Sequence, residues 1–271
     1  MARRLGHAGV ALMRVLIVGE GKSGTTALLR SVSSALGSPA ELFEPVQMTA
    51  SDLGPSSLVV KKLLLNWKAN ENELLDHFDK RIFIVRDPRD RIVSHLLYDS
   101  YNKADRLDHD QREKWLAVLG RKTRQPAEMP FVRLVNAWWR LTRSDLMSHY
   151  VRSLDRATGF HRRIGDQFHL LTYEDYVDGK FDGVNDYLGF DIAAGVVRPT
   201  ESRVSRSSTH GEWRNWFTSI DVEVFRPMTH EWQKQNGYDH TDWNLAEAES
   251  LDPATTVDYV KGLFDQRPIN P

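Results

Sequence analysis

The sequence contains no cysteine among its 271 residues. That excludes disulfides, thiolate nucleophiles and Cys-ligated zinc, and it suits a reducing compartment. It also lacks a dominant charge: 36 Lys and Arg stand against 37 Asp and Glu. No global field therefore draws it to nucleic acid or an anionic membrane, and only a local basic site is left open. Long apolar runs are missing too. The basic start Met1-Ala-Arg-Arg4 leads into apolar residues, but Arg14 interrupts them, and Val15–Gly19 is too short to span a bilayer. Neither a signal peptide nor an integral membrane segment is expected, and a cytoplasmic location is. No repeat, low-complexity tract or Pro/Gly/Ser-rich linker divides the chain, and no His/Asp/Glu cluster has metal-ligand spacing.

What remains is ordinary globular material, 41% apolar and 27% charged, enough for one large α/β domain over residues 1–271. Strands are predicted at Arg14–Gly19, Ser57–Lys61, Arg81–Arg86 and Gln167–Thr172. The continuous apolar runs Val15-Leu-Ile-Val18 and Ile82-Phe-Ile-Val85 suggest burial on both faces, as in a parallel sheet. Helical patterns lie between and after them, at Thr25–Leu36, Asn70–Phe78, Pro88–Tyr101, Phe131–Leu154 and Asp221–Asn236. The alternation predicts an α/β fold of P-loop-like, three-layer type, with a central, mostly parallel sheet flanked by helices. Residues 102–128 read as a charged, irregular lid or insertion, and 239–271 as an acidic C-terminal tail. Ligands of such sheets bind beyond the carboxyl ends of the strands, which directs attention to Gly19–Thr26 and Arg86–Ser94.

Gly19-Glu-Gly-Lys-Ser-Gly-Thr-Thr26 leaves a strand and opens a helix. Its glycines allow backbone N–H groups to crowd around an anion, the helix N-terminus adds partial positive charge, and Thr25 and Thr26 offer hydroxyls. Gly19 and Gly24 have the separation of a nucleoside-triphosphatase P-loop, but Thr25 occupies the Lys position and the lysine, Lys22, lies inside the loop. The strand Ile82–Val85 ends in Arg86, an anion-seeking group where a metal-binding acid would be needed. The loop reads as built for an anionic nucleotide without metal assistance.

Here the chain resembles the sulfotransferases that use 3′-phosphoadenosine 5′-phosphosulfate (PAPS). Lys22-Ser-Gly-Thr-Thr26 is similar to their 5′-phosphosulfate loop. Arg86-Asp-Pro-Arg-Asp-Arg-Ile-Val-Ser94 resembles their 3′-phosphate motif, an Arg and a Ser eight positions apart, with Pro88 starting the helix that carries Ser94. Arg206 to Thr218 resembles the late segment that closes over the 3′-phosphate, with Arg206, Gly211, Trp213, Arg214 and Phe217 in place. Ser207 and Ser208 stand where Lys-Gly is usual, and Arg203 is a candidate for the missing cation. Leu171-Thr-Tyr-Glu-Asp175 resembles a segment whose tyrosine lies near the adenine, which suggests Tyr173 for that contact. The resemblance thus implies a PAPS site formed by Gly21, Lys22, Ser23, Gly24, Thr25, Thr26, Arg86, Ser94, Tyr173, Arg206, Ser207 and Ser208. PAPS is then the co-substrate, adenosine 3′,5′-bisphosphate the product, and no metal is required.

The implied reaction moves a sulfuryl group to a hydroxyl or amine by in-line displacement at sulfur. Charge grows on the bridging oxygen, so a fixed cation there, Lys22, favours the transition state. The acceptor needs a base. Cytosolic family members have a His after the second predicted strand, yet Val59–Trp67 here contains none. Glu44, in Leu42-Phe-Glu-Pro45, is the favoured substitute because Golgi carbohydrate sulfotransferases have a similar acid before Pro; His210 and Lys61 or Lys62 are alternatives, while His95 is expected to face elsewhere. The acceptor, a carbohydrate or small molecule, is not named by the sequence; Trp67, Trp115, Trp138 and Trp139 are candidates to line its pocket. Two rival readings stand beside this one: a P-loop kinase or nucleoside triphosphatase, and a nucleotide-binding relative without turnover.

Overall fold

A computed structural model describes residues 12–194 and 209–268. Five parallel strands, β1 (Arg14–Gly19), β2 (Ala40–Phe43), β3 (Leu58–Leu63), β4 (Lys80–Val85) and β5 (His169–Thr172), form one sheet in the order β2-β3-β1-β4-β5. All four strand pairings are parallel. Strand β1 is central, with Val15 to Val18 fully buried, which is why its sequence is continuously apolar rather than alternating.

Alternation along the strands divides the core into two layers. On one face, Val15, Ile17, Val59, Ile82 and Ile84 pack with Leu28, Leu29 and Val32 of α1 (Thr25–Ala35) and with residues 171–192. On the other, Leu16, Val18, Val60, Phe83 and Val85 pack with a larger set of helices. These are α2 (Pro88–Lys103), α3 (His109–Arg124), α4 (Phe131–Thr142), α5 (Leu146–Ile164), α8 (Trp213–Trp216), α9 (Ser219–Gln235) and α10 (Val257–Asp265). The short α6 (Tyr173–Val177) and α7 (Asp182–Leu188) follow β5. The result is the three-layer, P-loop-like α/β architecture expected, with every strand pairing parallel.

Four local expectations are corrected. The pattern Phe131–Leu154 is two helices, α4 and α5. Arg143 takes left-handed backbone (φ 57°) at the end of the first, and Asp145 accepts the Ser148 N–H at the start of the second. The stretch 102–128 is not irregular: it carries α3, capped by Asp108, with Trp115 and Leu119 buried and Trp115 Nε1 donating to Ser100 Oγ (3.0 Å). Residues 239–268 do not trail: Trp243 and Leu251 are buried, and α10 packs against α2 and α3. Strand β2, four half-exposed residues at the sheet edge, was not foreseen, and Asn70–Phe78 is 3₁₀ (Ala69–His77) rather than α-helix.

The topology fixes where a ligand can sit. The connection after β1 leads to α1 on one face, and that after the neighbouring β4 leads to α2 on the other. The two loops diverge and leave a crevice beyond the strand ends.

Candidate active site

That crevice is a cavity of about 1050 Å³. Its wall includes Gly21, Lys22, Gly24, Thr25 and Thr26 from the loop after β1, Arg86 and Ser94 from the segment after β4, and Tyr173 after β5. Glu44 and Lys61 line it as well.

The loop geometry is set by residues that only its sequence allows. Gly24 has φ +88°, and a Cβ there would stand 2.6 Å from Tyr173 Cδ2. A Cβ on Gly19 would meet Ile84 O at 2.7 Å. Lys22 itself holds positive φ (70°), and its Nζ lies 4.0 Å from the centre of the Tyr98 ring on α2. Ser23 differs from the expectation for its side chain. It is fully buried, its hydroxyl donates to Glu20 O (2.6 Å), and it does not line the cavity, so it shapes the turn instead.

Arg86 leaves the end of β4 as a buried cation held by several contacts. Its Nη1 donates to Lys22 O (3.2 Å), its guanidinium lies 4.2 Å over the Tyr173 ring, and its Nε is buried with no hydrogen-bond partner. Arg86 lines the cavity, and a guanidinium fork suits an anion. Ser94 lies on the face of α2 that follows, started by Pro88 after the cap Asp87, which accepts the Arg89 N–H (2.8 Å). Asp90, one turn before Ser94, accepts the Trp213 N–H (2.9 Å) and the Gly211 N–H, tying the late segment to α2. Burial pushes the Asp90 carboxyl up, with Arg86 pulling the other way. Glu20 is likewise pushed up by burial against the opposing pull of Arg91 and Arg156, whose guanidinium nitrogens lie 3.7 and 3.8 Å away.

On the far side of the loop, Lys61 Nζ donates to Thr26 Oγ1 (2.6 Å) and is ion-paired with Glu44. Glu44 takes left-handed backbone (φ 51°), and its N–H donates to Lys61 O (2.8 Å). Lys62 points to the opposite face, where it pairs with the fully buried Glu71 (2.7 Å) and donates to Pro45 O and Val46 O; it is a structural lysine.

His95, expected to face elsewhere, lines the cavity beside Ser94, its ring 5.2 Å from that of His149 on α5. Burial, with Arg91 and His149 adding to it, holds His95 down to about 3. The signal missed is that α2 is buried on more than one face, so its apolar pattern could not say which way His95 points. His210 lies outside the cavity, hydrogen-bonded to Asp178 (3.0 Å). None of the four proposed tryptophans lines it: Trp115 and Trp138 are core, Trp67 packs edge-on to Phe160, and Trp139 is 44% exposed. Trp213 and Phe217 are buried together, and Arg214 pairs with Asp242. Arg203, Arg206, Ser207 and Ser208 lie outside the described residues. Among the described residues, therefore, Lys22 and Arg86 share one cavity with Glu44, Ser94 and Tyr173.

A doubly flanked parallel sheet with a glycine-rich loop after its central strand is a P-loop-like α/β fold, the class to which this chain is assigned on its own geometry. The sulfotransferase domain model matches residues 12–243, and the chain belongs to that family. Its fold is similar to the crystal structure of mouse sulfotransferase SULT7A1 complexed with PAP, at TM-score 0.50 and 14% identity, over 82% of this chain and 85% of that one. A second similar structure is retinol dehydratase in complex with androsterone and inactive cofactor PAP, at TM-score 0.44 and 14% identity, over 82% and 80% of the two chains. The sequence matches no curated protein.

Proposed function

We propose that this protein transfers the sulfuryl group of PAPS to a hydroxyl or amine of a small-molecule or carbohydrate acceptor. One observation carries the reading: the loop after β1 and Arg86 with Ser94 after β4 open onto a single cavity, as the two phosphate ends of one adenine nucleotide require. Membership of the sulfotransferase family supports it, and the solved sulfotransferase of similar fold is complexed with PAP, the product nucleotide.

In this reading the glycine-rich loop and the start of α1 take the 5′-phosphosulfate, and Arg86 and Ser94 take the 3′-phosphate. Tyr173, held under Arg86, lies against the adenine, and Arg206 with Ser207 and Ser208 closes over the nucleotide. Glu44 accepts the acceptor's proton as its oxygen or nitrogen forms the bond to sulfur. The bond from sulfur to the 5′-phosphate oxygen breaks, and the electron pair stays on that oxygen. Lys22 neutralises the growing charge there, a stabilisation larger in the transition state than in the ground state. Lys61, paired with Glu44 and bonded to Thr26, keeps the base beside the loop. Glu44 is preferred over His210 because it lines the cavity and His210 does not. The whole of 1–271 acts as one domain, and of the stretch 102–128 only Asn102, Lys103 and Arg106 line the cavity.

The test is calorimetric titration with adenosine 3′,5′-bisphosphate in EDTA. Binding is expected in wild type and strongly weakened in Arg86→Ala, while Lys22→Ala is expected to bind the nucleotide yet lose transfer of labelled sulfate. Strict dependence on Mg²⁺, or ATP hydrolysis without PAP binding, would refute the reading in favour of a kinase or triphosphatase. Tight PAP binding with no transfer to any acceptor would point to a non-catalytic relative.

A further inference from the structure

The cavity continues well past the residues assigned to the donor. Ser94, His95, Tyr98, Asp99, Asn102 and Lys103 all line it, so one face of α2 forms a wall at helical spacing. Along that wall Lys103 lies about 13 Å beyond Ser94, at a rise of 1.5 Å per residue. Lys103 thus stands more than two helical turns past the residue assigned to the 3′-phosphate.

The mouth at this far end is cationic. Lys103, Arg106 and Arg143 line it, and none of them is in a salt bridge with another described residue. Arg106 and Arg143 are exposed. Arg143 is held there by the backbone: it occupies the left-handed turn between α4 and α5. Ser144 Oγ donates to Asp99 Oδ2 (3.0 Å), and Trp138 Nε1 donates to the same oxygen (2.8 Å), which fastens this turn to α2. Two acids, Asp99 and Asp145, line the same end and keep their charge, so the cations there outnumber the acids by three to two. Asp99 accepts those two bonds, and Asp145 caps α5 through the Ser148 N–H (3.0 Å). Arg143, which also lies over the Trp139 ring (5.0 Å), Arg106 and Lys103 leave an excess of positive charge at this end that attracts an anion, and guanidinium and ammonium groups suit a carboxylate, sulfate or phosphate.

We infer that the acceptor is itself an anion, carrying a carboxylate, sulfate or phosphate that Lys103, Arg106 and Arg143 hold at the mouth of the cavity while its nucleophilic hydroxyl or amine reaches toward Glu44. This deepens the sulfotransferase reading and rests on it. It also makes these three residues determinants of acceptor choice and not of donor binding.

The experiment uses the full chain and matched probes that differ in one anionic group: glucose with glucuronate, glucose with glucose 6-phosphate, and 4-hydroxyphenethyl alcohol with 4-hydroxyphenylacetate. PAP affinity is measured first by calorimetry, and probe binding to the PAP-loaded protein is then measured by saturation-transfer NMR at fixed salt. At least one anionic probe is expected to bind roughly tenfold or more tightly than its neutral twin. In the variant Lys103→Gln/Arg106→Gln/Arg143→Gln that preference is expected to vanish, with PAP affinity kept within about twofold. Single exchanges at Arg106 and Arg143, exposed side chains, guard against a folding defect in the triple variant. The inference is overturned if no anionic probe outperforms its twin, or if the triple variant loses PAP binding and leaves probe preference intact. Failure of wild type to bind PAP would instead remove the donor reading, and anion preference would then be read on the unliganded protein, where its absence overturns the inference.

Discussion

Replacing Gly24 with alanine tests whether the phosphate loop and the Tyr173–Arg86 stack are one mechanical unit. At φ +88° an L-residue sits in left-handed backbone, which costs roughly 1–2 kcal/mol. The added Cβ would also stand 2.6 Å from Tyr173 Cδ2, 3.2 Å from its Cε2 and 3.4 Å from Ile84 Cδ1. Tyr173 cannot yield cheaply, being only 7% exposed with the Arg86 guanidinium over its ring. Overpacking of this kind costs roughly 1–3 kcal/mol. Gly24→Ala should therefore lose roughly 2–5 kcal/mol in urea unfolding, with its Tm falling by about 2–4 °C per kcal/mol. PAP affinity should drop too, since the displaced ring carries Arg86 with it. In a Tyr173→Ala background the clash is gone and only the backbone cost remains. A double-mutant cycle should then return a coupling of roughly 1–3 kcal/mol. Strictly additive costs, or an alanine variant as stable and as nucleotide-avid as wild type, would refute the reasoning.

Further outcomes follow from other contacts. Lys62→Met leaves the fully buried Glu71 without its cation and should cost roughly 3–5 kcal/mol in chemical denaturation; a neutral result would mean the pair is not buried as described. Glu44→Gln should lower turnover by about 10²–10⁴-fold with PAP affinity unchanged; an unchanged rate in a single-turnover sulfate-transfer assay would remove Glu44 as the base. His95, held down to about 3 in the folded protein, stays neutral while the unfolded chain takes up a proton below its ordinary 6.5. Stability contributed by the neutral ring is therefore complete above pH 6.5 and lost as pH falls toward 3. His95→Gln should flatten that part of the stability–pH curve, and an NMR titration showing His95 protonated at pH 6 would contradict the burial.

How much of this was legible from residues alone depended on burial geometry. Strands β1 and β4 were plain because both faces of each are covered, so four apolar residues run together. The edge strand β2, Ala40–Phe43, has only one neighbour and little burial, and its residues carry no such mark. The α4–α5 break was masked because apolar spacing persists on both sides of it, and only the cap at Asp145 marks the turn. The loops holding Lys22 and Arg86 were legible from their positions after strand ends, whereas Ser94 and Tyr173 were reached through the resemblance to the sulfotransferase motifs. His95 and the cations at the mouth were missed for opposite reasons. The histidine lies on a helix buried nearly all round, and Arg143 gains its place from a turn whose location depends on the Ser144–Asp99 bond.

The neighbouring lysines of β3 also bear on how the chain finds its alignment. Lys61 is aimed at Glu44 on one side of the sheet and Lys62 at Glu71 on the other. Sliding β3 by a single residue against β1 would carry one lysine into the place its neighbour had held and leave the other facing an apolar layer, with one of the two acids unpaired. Two like residues in tandem, each with its own acid, thus give a cation to both Glu44 and Glu71 in one alignment alone.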